Sequence, residues 1–467
     1  YRRSFPGRAV VRVLITAPFA LPAVVVGLAF RSLLGSGGPL AFLGLDGSFL
    51  AVVLALGFFN LGLMTRILGT FWQALDPRPE QAARLLGASP FRALIWVSLP
   101  AVAPALAAGG AMVFLFCTTA FSTVLIIGGP AYGTVETEIW RQTTQLLNLR
   151  AAAVLSVVQV VLVTGGLLAS SAARRRRERA LKLTGAGRAA ALPCPPLTKA
   201  DWPPAAVTGL AALAIATPLA TLVARSLRTA HGTGLDNYRA LASGAMRGLP
   251  YSVLQAAGTS VRIALVATGV ALALGLAISV VLSRRAAGPW GRRLQGFLDS
   301  VFMLPLGVSA VTVGFGFLIT LDTPPFNLRT SFWLIPLAQA LVALPMVMRS
   351  MLPVLRAIDP RQRQAAQALG ASPWRTFWAV DTPVLARPAA VGAAYAFAVS
   401  LGEFGATSFL VRPETTTLPV AIYRLLGRPG ITNLGAALAG AVLLAAVTCG
   451  IMAAAELARG TKEGGEL

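Results

Sequence analysis

Ten stretches of this chain are apolar for long enough to cross a lipid bilayer, and nothing else in the sequence restricts its fold as strongly. Crossing about 30 Å of hydrocarbon takes about 20 helical residues. The runs lie at 13–30, 49–71, 103–127, 151–170, 205–224, 259–282, 300–320, 331–352, 388–411 and 434–455. Only 12% of the residues are charged, against about 25% in an ordinary soluble domain. The runs lack the alternation of a half-buried strand, so helices that satisfy their own backbone hydrogen bonds are expected rather than a β-barrel. The fold class that follows is an all-α, polytopic membrane protein.

A formal net charge of +23 could mark a nucleic-acid binder, but on so apolar a chain the position of the charges decides. With residues 1–12 on the cytoplasmic side, alternate loops hold 26 Lys and Arg inside and 11 outside. This is the positive-inside distribution. It fixes the orientation and makes the bilayer, not a nucleic acid, the partner of the charge. Cys117, Cys194 and Cys449 are scattered and His231 stands alone. No pairing suits a zinc site or a disulfide framework, so no metal and no cofactor bound by this chain is expected.

The chain repeats itself. Residues 74–100, ALDPRPEQAARLLGASPFRALIWVSLP, and 357–383, AIDPRQRQAAQALGASPWRTFWAVDTP, agree at 15 of 27 positions at an offset of 283, where about two or three would agree by chance. Without a gap the match extends to Arg66 and Arg349 upstream and to TVETEIWR (134–141) and TLPVAIYR (417–424) downstream. Two homologous halves are expected: 1–171, a cytoplasmic linker at 172–203 that opens on RRRR and ends in TKADWPP, and 204–467. The second half carries two spans ahead of the segment that matches residues 1–30, and Tyr1 stands where a start would carry Met. The expected pattern is therefore 4+6 spans here, from a parent with 6+6, the halves related by an axis along the membrane normal.

Each copy of the repeated loop reads as a helix, a tight turn and a second helix on the cytoplasmic side. Asp76 and Asp359 can cap the first helix, with Pro77 and Pro360 in its first turn. Gly87 and Gly370 can take the left-handed conformation that ends it. Ser89 and Ser372 restart a helix with Pro90 and Pro373, and Pro100 and Pro383 precede the next span. The small side chains of Ala82 and Ala83, and of Ala365 and Ala366, let a partner approach the backbone closely. One such hairpin could merely connect two spans. Two copies on one face fit two partner subunits.

The segments QAARLLGASPFRALIWVSLP and QAAQALGASPWRTFWAVDTP resemble the EAA loop of ABC importer permeases, with Gly87 and Gly370, Val97 and Val380, and Pro100 and Pro383 in register. The resemblance implies the type I importer permease fold, built of two helical-bundle halves. It also implies that the loops seat in grooves of two ATP-binding-cassette ATPase subunits. The coupling residues it implies are Gln81, Ala82, Ala83, Gly87, Arg92 and Pro100, with Gln364, Ala365, Ala366, Gly370, Arg375 and Pro383. Gln81 and Gln364 depart from the motif's Glu, a charge that Glu80 could supply in the first copy, and Thr382 departs from its Leu. None of the three lysines, Lys182, Lys199 and Lys462, follows a glycine. A phosphate-binding loop is thus excluded: the chain is a transport subunit, not an enzyme, and its partners hydrolyse ATP.

YRRSFPGR, GFFNLGLMTRIL (57–68), AFSTVLIIGGP (120–130) and SLGEFGATSFL (400–410) are most similar to thiamine importer permeases. Those are fused permeases of a bacterial plasma membrane, served by an extracytoplasmic substrate-binding protein. Fused ferric-iron permeases share the architecture, and molybdate permeases share GEFG, which leaves those substrates as alternatives. Glu403 is read as an acid inside the span 388–411, where burial is costly and function is the default expectation. With Phe404, and with Phe121 in the first half, it is the expected lining of the substrate path; a structural hydrogen bond is the other reading. The residues matching Glu403 and Phe404 are Ala120 and Phe121. A second class, an ion-coupled secondary transporter, would need several such intramembrane acids.

Overall fold

The computed structural model of the chain describes residues 4–73, 75–129, 131–182, 197–198, 202–229, 232–242, 250–284, 288–303, 309–322 and 328–460. Up to the linker the helices are α1 (Arg8–Thr16), α2 (Ala23–Leu34), α3 (Phe49–Gln73), α4 (Arg78–Leu85), α5 (Pro90–Ala93), α6 (Leu99–Thr118), α7 (Ser122–Ile127), α8 (Val135–Thr144) and α9 (Leu149–Lys182). Then come α10 (Trp202–Ser226), α11 (Asp236–Ala242), α12 (Val253–Ser283), α13 (Gly288–Met303), α14 (Ala310–Thr320) and α15 (Leu334–Ala357). The last are α16 (Pro360–Ala368), α17 (Pro373–Thr376), α18 (Thr382–Leu401), α19 (Thr407–Leu410), α20 (Leu418–Leu426) and α21 (Ile431–Gly460).

Among the described residues eight helices are long and apolar enough to cross a membrane, and nine spans result if one bent pair counts as a span. That pair, Val10–Phe19 and Ala23–Leu34, is bent by 104°, so the expected span 13–30 is a broken one. Pro22 lies in the break and Pro18 in the turn of 3-10 helix just before it, and both lack the amide hydrogen that a continuous ladder needs. The expected span 300–320 is not one described helix either. α13 ends at Met303 and α14 has 11 residues, about 16 Å of rise, and residues 304–308 between them lie outside the described ones. The expected span 388–411 starts earlier and ends earlier: the run is Pro373–Leu401, and Glu403 sits in the break beyond it. The linker expected at 172–203 is helical as far as Lys182, where α9 ends; Cys194 and His231 lie outside the described residues.

The chain forms two compact units that are not the two halves of the repeat. Unit 1 takes Tyr1–Phe19, Ala29–Val135 and Val157–Thr221, while unit 2 takes Ala20–Leu28, Glu136–Ser156 and Leu222–Leu467. In unit 2 the core is built by α12, α15 and α18, through Ala267, Ala271, Ala340, Ala343, Val347 and Ala396. Where α12 meets α15 and α18 most of the inward residues are small, although Ile263 and Leu282 of α12 and Met348, Met351 and Leu355 of α15 are buried as well. On α12, Ala256, Ser260, Ala264, Ala267 and Gly275 are buried, while Leu254, Val261, Leu265 and Val281 are exposed. That is the membrane arrangement, in which association comes from close backbone approach and not from hiding large apolar groups from water. In unit 1 α3 packs on α6 and crosses the end of α1, where a side chain at Gly62 would meet the Ile15 carbonyl oxygen at 2.9 Å. Phe19, Phe59 and Phe116 cluster there, tilted or edge-on, with centroids 5.7–6.3 Å apart.

Close approach makes one testable statement in unit 2. A Cβ built on Gly314 of α14 would lie 2.6 Å from Ala406 Cα and 2.7 Å from its carbonyl oxygen, while one on Gly316 meets nothing within 4 Å. Backbone cannot rotate out of the way as a side chain can. Gly314→Ala is expected to destabilise the purified protein by about 1–3 kcal/mol, and Gly316→Ala to be neutral or slightly stabilising. Thermal melting in detergent micelles checks both.

Candidate functional site

The two loop hairpins fold alike. Asp76 Oδ1 accepts the Arg78 amide at 2.9 Å, and Asp359 Oδ1 accepts the Arg361 amide at 2.9 Å. At the other end, the Gly87 amide donates to Arg84 O and the Ala88 amide to Ala83 O, both at 3.0 Å. In the second copy Gly370 donates to Gln367 O at 2.9 Å and Ala371 to Ala366 O at 3.0 Å. This pair of bonds is the Schellman end of a helix, and it needs a left-handed residue after the cap. Gly87 has φ 88° and Gly370 φ 80°. Ser89 and Ser372 then cap the next helix by accepting the Arg92 and Arg375 amides at 3.3 Å.

Around its turn each hairpin presents large apolar side chains, on an otherwise polar surface. Leu86 and Leu369, the last residues before the turn, are both 89% exposed, and Phe91 and Trp374 beyond it are also exposed. α4 and α16 contain no buried residue. Gln81, Ala82, Gly87 and Arg92 are exposed, as are Gln364, Ala365, Gly370 and Arg375, with Ala83 and Ala366 half-buried in both copies. An apolar tip held on a rigid turn is the form a docking surface takes. Pro100 and Pro383 stand apart from the tip: they begin α6 and α18, each after a turn of π-helix, Leu94–Ser98 and Phe377–Asp381.

Sequence reading missed those π turns and the polar contacts that close them. Ser98 Oγ donates to Glu80 Oε2 at 3.0 Å, and Arg363 Nε donates to Asp381 Oδ1 at 2.8 Å. A signal was present, because the aligned copies differ at both positions together: Glu80 against Arg363, and Ser98 against Asp381.

The second group of expected residues lies at the break after α18. Glu403 is 6% exposed. Its Oε1 accepts the Ala406 amide at 2.6 Å and its Oε2 the Thr407 amide at 3.0 Å, and Oε2 also accepts from the Thr407 hydroxyl. Gln339 of α15 donates to that hydroxyl oxygen at 3.1 Å. Both carboxyl oxygens are thus used to start α19, in the manner of an N-cap. Phe404 is buried and meets Tyr423 of α20 at 5.2 Å between centroids; Tyr423 meets Trp140 of α8 edge-on at 5.9 Å. Trp140 and Tyr423 occupy the same position of the repeat, so within unit 2 the two copies of that segment touch each other. Phe121, also buried, opens α7 at the matching break in unit 1. On α8, the hydrogen bond from Arg141 holds the Glu138 carboxyl below its ordinary range, with Gln142 adding to it.

Comparison with known proteins agrees with the repeat. Over 443 residues the chain is 27% identical to the thiamine transport system permease protein ThiP of Salmonella typhimurium, covering 91% of this chain and 78% of that protein. Over 464 residues it is 26% identical to the protein of the same name in Brucella abortus, covering 95% and 79%. A shorter match, 32% over 163 residues, covers 35% of this chain and 60% of the putative 2-aminoethylphosphonate transport system permease protein PhnV of Salmonella typhimurium. Residues 1–177 and 275–459 match one family, and each matched stretch contains one of the paired hairpins. The chain belongs to that family, the inner membrane components of binding-protein-dependent transport systems.

Proposed function

We propose that the chain is the permease of an ATP-driven importer of thiamine or a phosphorylated form of it, working with two ATP-binding-cassette subunits and an extracytoplasmic binding protein. The observation that carries the transport role is the pair of matching hairpins, each with an exposed leucine ahead of a left-handed glycine. Rigid apolar knobs suit grooves on two copies of one partner. Their Arg-rich surroundings in sequence favour the cytoplasmic face of a bacterial plasma membrane.

In this reading a loaded binding protein docks outside and two ATPase subunits close inside. The knobs carry that closure into the spans, which open a passage toward the binding protein. ATP hydrolysis then resets the spans and releases substrate inward. The thiamine assignment is supported by relatives named for thiamine transport that align with more than nine-tenths of the chain. Ferric iron and molybdate are the competing cargoes.

Competitive uptake decides among them. Proteoliposomes holding the chain, its ATPase subunits and its binding protein are expected to take up labelled thiamine only with ATP inside, and excess unlabelled thiamine should suppress the signal more than tenfold. Ferric iron and molybdate should leave it unchanged. Uptake of either of those instead of thiamine overturns the cargo assignment, and uptake without the ATPase subunits overturns the ATP-driven reading.

A further inference from the structure

The two hairpins share one backbone but are fastened to the following span by opposite chemistry. In the first copy the acid is on the knob: Glu80 accepts from Ser98 at 3.0 Å. In the second the acid is on the span: Asp381 accepts from Arg363 at 2.8 Å. Glu80 and Arg363 are one position of the repeat, and Ser98 and Asp381 are another. Both contacts join residues 18 apart and land on the last residue of a π turn. Ser98 is buried and Asp381 is 1% exposed. Asp381 also receives Arg284, the residue after α12, at 3.3 Å, and Arg363 also donates to Leu355 O of α15 at 3.3 Å.

We propose that these contacts are struts: Glu80 with Ser98, and Arg363 with Asp381, are positioning residues that make each knob and the span after it move as one body. No residue of α4 or α16 is buried, so apolar packing does little to hold the knobs. Between knob and span stands a π turn, whose wider ladder is a place where helices yield. A push on an unbraced knob would be absorbed there. The strut bridges the turn from the first helix of the hairpin to the foot of α6 or α18. In the second copy the carboxyl at the foot of α18 also takes Arg284 from the end of α12, and Arg363 ties it to the Leu355 carbonyl near the end of α15. Opposite chemistry at matched positions indicates that the link is required and that its polarity is not.

The proposal rests on the coupling role of the knobs, and its test separates the two. In proteoliposomes with the ATPase subunits and binding protein, ATP hydrolysed per thiamine imported is measured for Arg363→Gln and for the double variant Arg363→Glu with Asp381→Ser. The double variant places the first copy's chemistry in the second. Arg363→Gln is expected to raise the ratio at least fivefold while recovery of assembled complex and ATPase rate stay within twofold. The double variant should return the ratio to within twofold of the unsubstituted protein. An unchanged ratio in Arg363→Gln, or a double variant no better than it, overturns the strut. If Arg363→Gln does not assemble, the double variant decides alone: assembly with an ordinary ratio supports the strut, and failure of either overturns it. Absence of thiamine uptake by the unsubstituted complex, or undiminished uptake after Gly87→Val with Gly370→Val, overturns the underlying reading instead.

Discussion

Replacing Gly87 and Gly370 together with Val is expected to reduce uptake more than tenfold while the chain still inserts and is recovered in normal amount. The reason lies in backbone conformation, not in space: a side chain at either glycine would meet nothing within 4 Å. With φ at 88° and 80°, an ordinary L-residue is strained by about 1–2 kcal/mol, and a β-branched one fits worse still. The helices it would strain, α4 and α16, have eight and nine residues and bury none of them. Helices so short are marginal on their own, so loss of the Schellman end should fray them and displace Leu86 and Leu369. The packing of α12, α15 and α18 in unit 2, and of α3 on α6 in unit 1, does not involve either glycine and is untouched.

The same experiment has an internal control. Asn tolerates the left-handed region far better than Val does. Gly87→Asn with Gly370→Asn should therefore keep most of the uptake, and each single Val variant should fall between. Uptake per recovered complex, read beside ATPase rate, checks the series. Undiminished uptake in the double Val variant would remove the knobs from the coupling mechanism, and equal loss with Asn and Val would show that a side chain, not the backbone, does the damage.

The turn chemistry of the hairpins was legible because each signal is local. An Asp before Pro, a Gly nine or ten residues after the helix starts and a Ser before Pro specify caps wherever they occur, and a second copy at a fixed offset removes chance. The broken spans were harder for an equally physical reason. Hydropathy counts apolar residues and is blind to chain direction, so 13–30 and 388–411 read as unbroken although the chain turns at Pro18 and Pro22 and again at Gly402. The arginines at 174–177 looked like the start of a loop, yet Arg is a good helix former and α9 runs through them. The π turns add a single residue to a helix and leave no compositional mark. Nor could the sequence tell that residues 20–28 and 136–156 pack with the second half, because that depends on long-range contact alone. The struts were half legible: Glu80 drew attention as the acid nearest the motif, but its partner 18 residues away did not.

Glu403 was legible as an unusual residue, and its geometry now predicts what losing it does. It collects two backbone amides and one hydroxyl at the start of α19, and water has no easy access to that break. Glu403→Ala would leave the Ala406 and Thr407 amides without their acceptor, at a cost of about 3 kcal/mol. Glu403→Gln keeps an acceptor for one amide but turns an NH2 group toward the other, so it should recover only part of the loss. A residue that instead gripped a cationic cargo would behave differently: Gln would weaken apparent affinity and leave stability alone. The expected result is the reverse. Melting temperature and yield should fall in the order unsubstituted, Gln, Ala, while the half-saturating thiamine concentration of whatever complex survives stays within twofold. A large shift in half-saturation with unchanged melting would move Glu403 out of the break it caps and into the substrate path.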